Sequence, residues 1–485
     1  MKVVIVGAGT AGLIAALQIK TVLPNCQVEI VRSGEVKIIG VGEGSTEHWT
    51  EFEKTVGFSR SEMIEKTKAT YKFGIRFKGW RDSPFTDYFH SVSSPGIDRH
   101  GFNAGYALPA VMGKQLTPFF TNPAMREGFV KDQENIHSQT NQFHFDTFSL
   151  NEYFLDLCAK KQITVIDGHV RSAELDADNG NILELNADVG SIKGDFFIDA
   201  TGFSRSIFKF VAEPKWKSFS PYLPCDRAIA TQTPEREDGV ILPYTVAHAL
   251  SSGWRWEIPT QERRGNGYVY SSTHCTEEQA VEELQKVIGY KIQDYRSFSF
   301  EPGYVANPWE KNCCLIGLSS GFVEPLEATS IAASIQQSLA LTKYLPVARY
   351  DASGIGRRKY NQKMSSMMEN ILAMIAMHYM TDRRDTEMWR SMADREVPEQ
   401  LQEYVELIKL HGPGQFDMPT MGWELFHPPH FWHVAQGQGL LSRDALMTSL
   451  ESRVSLDEFS AHMTNLTRER LQQKLIPHRE ALQRK

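Results

Sequence analysis

The sequence predicts an α/β protein, a Rossmann-like dinucleotide-binding box joined to a mostly helical second subdomain. Three observations carry this expectation. The chain opens on an extended apolar run, Lys2-Val3-Val4-Ile5-Val6, that enters G-x-G-x-x-G at Gly7, Gly9 and Gly12 and then an apolar helical stretch over 13–19. A second small-residue turn, Asp199-Ala200-Thr201-Gly202, closes another strand-like run over 195–198. From about Tyr350 the pattern turns helical, so 351–485 reads as the helical subdomain and 1–350 as the box, with inserted loops over about 81–140.

The first element sets the chemistry. An unbroken apolar strand suits a parallel sheet covered on both faces. Gly7 turns the chain tightly, Gly9 lets backbone approach a pyrophosphate, and Gly12 lets the helix pack on the strand. The helix N-terminus then presents free N–H groups and a positive dipole end to phosphate. The strand before and the helix after are the context that makes this fingerprint meaningful.

Composition excludes several classes. With 485 residues, 41% hydrophobic and 23% charged, the chain can bury a large core. A net charge of -7 argues against a nucleic-acid surface. Six scattered cysteines without a C-x-x-C pair suggest neither a metal site nor a disulfide framework, only free buried thiols. The early glycines break any signal-peptide h-region, and no apolar window reaches ~18 residues. A cytoplasmic protein with no membrane partner is expected.

Along the chain, a second strand over 27–31 ends in Arg32-Ser33 where many dinucleotide folds carry an acid. Arg32 admits a 2′-phosphate, hence NADP, as a minor reading, and Ser33 can hold a ribose weakly. The glycine-rich run Ile39-Gly40-Val41-Gly42-Glu43-Gly44-Ser45-Thr46 suits close contact with a flat ligand. Residues 71–77 alternate as one strand whose period places Lys72, Gly74 and Arg76 on a single face, by pattern alone a solvent face. The region 81–140 reads as a long irregular segment, of a kind usually functional. Phe143-His144-Phe145-Asp146 leads into a helix to about Lys161, and 163–166 and 182–185 are strand-like.

Gly253-Trp254-Arg255-Trp256-Glu257-Ile258-Pro259 puts two indoles on one face of a strand, by itself the pattern of paired core aromatics. A buried strand then enters Gly317-Leu318-Ser319-Ser320-Gly321, and Glu324-Pro325-Leu326-Glu327-Ala328-Thr329-Ser330-Ile331 opens a helix to about Leu345. Its free N–H groups can hold an anion or a flavin carbonyl. The stripe Met364, Met367, Met368, Ile371, Met374, Ile375 and Met380 reads as core packing. Gly354-Ile355-Gly356 and Gly437-Gln438-Gly439 lack a preceding strand, so a nicotinamide has no domain of its own.

With these pieces placed, the chain resembles the flavin-dependent halogenases, the tryptophan halogenase family, over most of its length. G-x-G-x-x-G at Gly7–Gly12 and W-x-W-x-I-P at Trp254–Pro259 carry the resemblance together, since ordinary flavin monooxygenases lack the second. His144-Phe145-Asp146, His378-Tyr379, Asp385-Thr386 and Trp389 also look family-like. The resemblance implies an FAD-binding, flavin monooxygenase-type box. It puts flavin contacts at Gly7, Gly9, Thr10, Ala11, Gly12, Ser33, Ile39, Val41, Glu43, Gly44, Leu318 and Ile331, a catalytic lysine at Lys72 and a catalytic glutamate at Glu327. The implied activity uses FADH2, O2 and halide to make hypohalous acid, relayed through a tunnel to Lys72, for electrophilic halogenation of an indole- or phenol-like substrate. Glu327 orients the electrophile, stabilises the cationic intermediate or takes its proton. Trp254 and Trp256 keep substrate from the flavin.

Departures refine this. The family's halide sits at a Thr-Gly backbone, whereas this chain has Thr329-Ser330. The backbone N–H survives but glycine's freedom of φ does not, so bromide and iodide are expected beside chloride. No tyrosine pair for gripping a free amino acid stands between Asp417 and Trp432. His90 matches a substrate-side histidine, and Phe426 replaces an indole-stacking tryptophan, which implies a hydrophobic, less amino-acid-specific pocket. The missing nicotinamide domain implies a separate flavin reductase supplying FADH2 by diffusion. A homo-oligomer stays open. The competing readings are a flavin-dependent aromatic hydroxylase and a non-catalytic flavoprotein-fold binder.

Overall fold

A computed structural model describes residues 1–34, 42–82, 87–91, 104–113, 125, 127–132, 140–414, 417, 424–453 and 455–484. The chain forms two compact units, each assembled from three stretches. Unit 1 comprises Met1–Ala69, Phe145–Ser218 and Glu301–Met368, and unit 2 comprises Thr70–His144, Phe219–Phe300 and Glu369–Lys485. The boundary expected near residue 350 therefore differs from the observed division, and it falls inside unit 1. Parallel strands need long crossovers, so the strands of one sheet come from distant stretches and the units interleave.

Unit 1 is built on a six-stranded sheet ordered Trp309–Glu310, Cys313–Leu315, Phe196–Asp199, Lys2–Val6, Gln27–Arg32, Thr164–Asp167, parallel except at the Trp309–Glu310 edge. Lys2–Val6 lies between two neighbours, and Val3, Val4 and Ile5 have no exposed surface. Helix Thr10–Val22 is buried continuously from Gly12 to Ile19. It packs on helices Thr147–Lys160 and Thr329–Tyr344, which is why it is apolar all round. On the other face Val4, Val6, Val31, Phe197 and Leu315 share a core with Ile182, Leu185 and Ile192 of a small antiparallel sheet. Two of that sheet's strands, Val170–Leu175 and Gly190–Lys193, escaped the sequence reading because they are short and mostly exposed.

Asp199 explains the second turn. Its buried carboxylate accepts from the Thr201 hydroxyl at 2.7 Å and from the N–H groups of Thr201, Ile207 and Phe208 at 2.9–3.0 Å. These donors, with the Ser319 hydroxyl at 3.4 Å, supply the hydrogen bonds that a side chain cut off from water needs.

Unit 2 is built on a seven-stranded sheet ordered Arg296–Ser299, Arg227–Pro234, Arg263–Tyr270, Gly253–Pro259, Thr245–Leu250, Gly74–Lys78, Tyr88–Ser91. All pairs are antiparallel except Thr245–Leu250 with Gly74–Lys78. Helix Pro428–Gly437 lies on Tyr88–Ser91. A Cβ on Gly437 would stand 2.4 Å from the Tyr88 ring, so only glycine lets helix and strand approach this closely. Ala104–Val111 packs with Trp432, Leu446 and Leu450 in a separate apolar cluster.

Two sequence expectations fail here. Residues 71–77 are not one strand. Thr70–Lys72 pairs with Gln142–Phe145, while Gly74–Lys78 belongs to the large sheet. The break sits at Gly74, whose φ is +147° and whose added Cβ would meet the His90 carbonyl at 2.2 Å. The preceding Phe73 N–H turns away to the Pro243 carbonyl at 2.8 Å. Lys72 and Arg76 consequently do not share one strand's solvent face, and Lys72 is buried. The segment 81–140 is also less irregular than expected, since it contains Tyr88–Ser91, Ala104–Val111 and Phe129–Lys131. The predicted methionine stripe lies on helix Ile355–His378 as far as Ile375, with all those members buried, while Met380 follows the end of the helix and is half-buried.

Candidate active site

In unit 1 the first turn forms an open cradle. Gly7 has φ +108°, and a Cβ there would fall 2.3 Å from the Ala200 carbonyl oxygen. A Cβ on Gly12 would fall 2.0 Å from the Gly7 carbonyl oxygen, whereas Gly9 has nothing within 4 Å. Two glycines are thus required by close packing and the third leaves space for a ligand. Gly9 is the N-cap of helix Thr10–Val22, with no side chain capping the helix. Its first-turn N–H groups are those that a pyrophosphate would engage. These residues fit a dinucleotide such as FAD.

Thr10 Oγ1 donates to Glu43 Oε2 at 3.4 Å, joining this turn to the glycine-rich segment. Burial pushes the Glu43 carboxyl up to about 7, against a smaller lowering by Thr10. Gly44 is buried beside it; Ile39 and Val41 lie outside the described residues. Asn151 donates to the Ala8 carbonyl at 2.7 Å, and Gly42 N–H donates to Thr147 Oγ1 at 3.2 Å. Arg32 is engaged by Asp167 at 2.6 and 3.3 Å, which counts against the 2′-phosphate reading. The Ser33 hydroxyl faces His169 Nδ1 at 3.3 Å.

The turn at Gly317–Ser319 closes on the same cradle. Gly317 N–H donates to Gln337 Oε1 at 2.8 Å, and a Cβ on Gly317 would lie 2.5 Å from Ala11 Cβ. Leu318 follows, half-buried. Beyond it, Glu324, Glu327, Thr329 and Ile331 are buried, and Ser330 is exposed in the first turn of its helix. The strained residue of this segment is Ala328, at φ +55°. Ser330 is helical, so the serine that replaces glycine there costs no backbone strain.

In unit 2 Lys72 is 2% exposed. Its strand faces Gln142–Phe145 with Lys72 opposite Gln142 and Thr70 opposite His144. Thr140 Oγ1 donates to the Lys72 carbonyl at 2.6 Å, and Tyr71 N–H donates to His478 Nε2 at 3.1 Å. Burial holds His144 well below its ordinary pKa, helped by the charge of Lys72.

His90, Phe426 and His430 are brought together. His90 Nε2 and His430 Nδ1 share a hydrogen bond of 2.9 Å, and Phe426 stands edge-on to His430 at 5.5 Å. Asn370 fixes the loop by accepting from Leu425 and Phe426 N–H and donating to the Phe426 carbonyl. Trp254 and Trp256 lie 6.3 Å apart, Trp254 fully buried and Trp256 partly so. Gly267 gives the Trp256 indole its place, since a Cβ there would stand 2.0 Å from the ring. On the opposite face of that strand, burial alone would raise the Glu257 carboxyl, but Arg255 and Arg264 hold it low.

The sequence profile described as "Tryptophan halogenase" matches residues 2–451. The chain belongs to the tryptophan halogenase family. It is therefore an enzyme of the flavin-dependent halogenase type. It is 30% identical over 446 residues to the tryptophan 6-halogenase SttH of Streptomyces toxytricini, covering 85% of this chain and 84% of that protein. Its fold matches Xcc4156, a flavin-dependent halogenase from Xanthomonas campestris, with TM-score 0.87 and 30% identity over 99% and 97% of the two chains. It likewise matches BrvH, a flavin-dependent halogenase from Brevundimonas sp. BAL3, with TM-score 0.86 and 28% identity over 99% and 98%.

Several residues around these candidate sites escaped sequence reasoning. Thr147 and Asn151 are spaced i, i+4 just after the Asp146 cap, a signal that was present but unread. His430 and His433 sit one helical turn apart on Pro428–Gly437 and both approach His90. The family-like His378 and Trp389 are core residues instead. Tyr88 Oη lies 2.6 Å from His378 Nδ1, and Trp389 Nε1 donates to the Leu250 carbonyl at 2.7 Å.

Proposed function

We propose that this halogenase makes hypohalous acid from FADH2, O2 and halide and uses Lys72 to halogenate an aromatic, indole- or phenol-like substrate. Bound reduced FAD supplies two electrons that let oxygen convert halide to hypohalous acid. Gly9, Thr10 and Ala11 hold its pyrophosphate, with Glu43, Gly44, Ser33, Leu318 and Ile331 around it. Thr329 and Ser330 contribute halide-binding N–H groups.

Lys72 takes the hypohalous acid in one of two forms. As an ammonium it donates a hydrogen bond to the oxygen and polarises the O–X bond. As a free amine it forms N–X and releases water. In either case an aromatic carbon then attacks the halogen and Glu327 accepts the proton that the ring gives up. The group left behind is neutralised, the oxygen departing as water with the proton of the ammonium, or the nitrogen returning to the amine by taking a proton from water. The observation that carries this reading is the burial of Lys72, an amine taken almost wholly out of water in a chain of this family. Burying a lysine is costly and recurs at functional sites.

His90 and Phe426 line the substrate side, and their imidazole and phenyl groups favour a flat, weakly polar molecule over a zwitterionic amino acid. The relative SttH is by name a tryptophan 6-halogenase, so tryptophan and simple indoles have to be compared directly. A separate flavin reductase supplies FADH2, and the enzyme acts in the cytoplasm. Lys72→Ala tests the reading. Halogenated product, measured by mass spectrometry with reductase and each halide in turn, should disappear while reduced flavin is still oxidised. Undiminished halogenation would refute the role of the amine, and oxygenated product in its place would favour a hydroxylase.

A further inference from the structure

The Lys72 strand carries a hydrogen-bond chain whose direction can be worked out atom by atom. Thr70 Oγ1 is 2.7 Å from the Pro259 carbonyl oxygen and 3.2 Å from His144 Nδ1, and His144 Nε2 is 2.8 Å from Thr245 Oγ1. A carbonyl oxygen only accepts, so the single hydroxyl proton of Thr70 goes to Pro259. Thr70 Oγ1 must then accept from His144, which places the imidazole proton on Nδ1. Nε2 keeps its lone pair and accepts from the Thr245 hydroxyl. The order is fixed from end to end: Thr245 donates to His144, His144 to Thr70, and Thr70 to Pro259. Thr70 and His144 have no exposed surface and Thr245 has 8%, so water does not compete.

A second imidazole repeats the pattern on the same strand. His478 Nε2 accepts from Tyr71 N–H at 3.1 Å, so its proton is on Nδ1, directed at the Ile241 carbonyl 3.1 Å away. Burial lowers the His478 pKa to about 3. His144 is held below its ordinary pKa first by burial and then by the charge of Lys72. Opposed residues of an antiparallel pair share a face, so Thr70, Lys72, Gln142 and His144 all project from one side of the ribbon. Protonating His144 would turn the Thr245 hydroxyl around and set a buried cation on the face that carries Lys72.

We propose that His144 is a positioning residue for Lys72, an imidazole held neutral in its Nδ1–H form that ties the lysine strand to Pro259 of the W-x-W-x-I-P strand and to Thr245. The proposal rests on the reading of Lys72 as the reactive amine. Lys72 stands at the end of a three-residue strand, too short to hold a side chain in place by its ladder alone. The chain through His144, the Tyr71–His478 contact and the Thr140 bond to the Lys72 carbonyl anchor each of its residues in turn.

Two measurements test this. Long-range proton–nitrogen NMR of the full chain labelled with 15N-histidine, assigned by comparison with His144→Asn, should show His144 with a bare Nε2 and no titration from pH 5 to 9. An Nε2–H form, or titration in that range, overturns the proposal. In the second, His144→Phe keeps a ring but removes both hydrogen bonds, and halogenation turnover should fall by about 10²-fold, the scale of a ~1 Å misplacement, with reduced-FAD oxidation as the control for folding. His144→Asn, whose amide can still donate to Thr70, should recover at least ~10-fold of that, a rescue that simple loss of packing does not give. Equal turnover in the two variants, or wild-type turnover in His144→Phe, refutes the role. Should His144→Phe not fold, the NMR result on the unaltered protein decides. Lys72→Ala separates the two levels: if it still halogenates, the amine reading fails, and if it is inactive while His144→Phe is normal, only the positioning role fails.

Discussion

Glu43 offers a quantitative test of the proposed flavin cradle. Its carboxyl is raised from 4.5 to about 7 in the folded protein, chiefly by burial. Between those values the native state binds a proton that the unfolded chain releases, so stability falls as pH rises. The contribution is fully present below about 4.5 and is lost by the time the pH has passed about 7. A shift of this size corresponds to about 3 kcal/mol at 1.36 kcal/mol per unit. Glu43→Gln keeps an acceptor for Thr10 and removes the titration. Without flavin, the variant and the parent should unfold at similar temperatures near pH 4.5, and the variant should be the more stable at pH 8. In a cooperative unit of roughly 200 residues, 1 kcal/mol moves Tm by roughly 2–4 °C, so the gap should open to several degrees. Differential scanning calorimetry at the two pH values reads it. A gap that does not change with pH, or a variant less stable at pH 8, refutes the claim that Glu43 carries a proton at the cradle.

Further expectations follow from close contacts. Gly12→Ala places a methyl group 2.0 Å from the Gly7 carbonyl oxygen, and because both partners are backbone the turn must shift; a fluorescence titration should show FAD affinity lowered by more than ~10-fold, and unchanged affinity would count against the cradle. His430→Ala removes the partner of His90 Nε2, a loss of about 1–3 kcal/mol if the bond orders the substrate side. The readout is a lower kcat/KM for the aromatic substrate, and an unchanged value would show that the pair does not order it. Gly267→Ala meets the Trp256 indole at 2.0 Å, and overpacking of this kind costs about 1–3 kcal/mol, to be read as a lowered urea midpoint.

The glycine turn of unit 1 was legible because its signals are local. Lys2–Val6, the three glycines and the apolar helix after them are consecutive, and each constraint is met within a few residues of its source. Asp199-Ala200-Thr201-Gly202 was visible as a turn, although the reason for it was not: the aspartate organises N–H groups as far on as Phe208. The group of His90, Phe426 and His430 was legible only through resemblance. His90 and His430 are 340 positions apart, and no pattern within either segment announces the other. His144 needed three partners, Thr70, Thr245 and, through Thr70, Pro259, each on a different strand. The same applies to the division into units, which arises from crossovers between distant strands rather than from any change in composition.

Lys72 shows why a correct periodicity can still mislead. The alternation over 71–77 is real, and on one continuous strand it would have set Lys72 and Arg76 side by side toward solvent. Gly74 interrupts that inference, because the backbone there adopts φ +147° against the His90 carbonyl. The two charges then part. Arg76 stays in the large sheet, half-buried and paired with Asp87. Lys72 leaves it for a short ribbon with Gln142–Phe145 and is buried. A lysine in the seven-stranded sheet would share its face with the residues of neighbouring strands and have its position set by them. On a separate ribbon of three residues its backbone is held by Thr140 and its strand neighbours Tyr71 and Thr70 by His478 and His144, side-chain hydrogen bonds that single substitutions can remove one at a time.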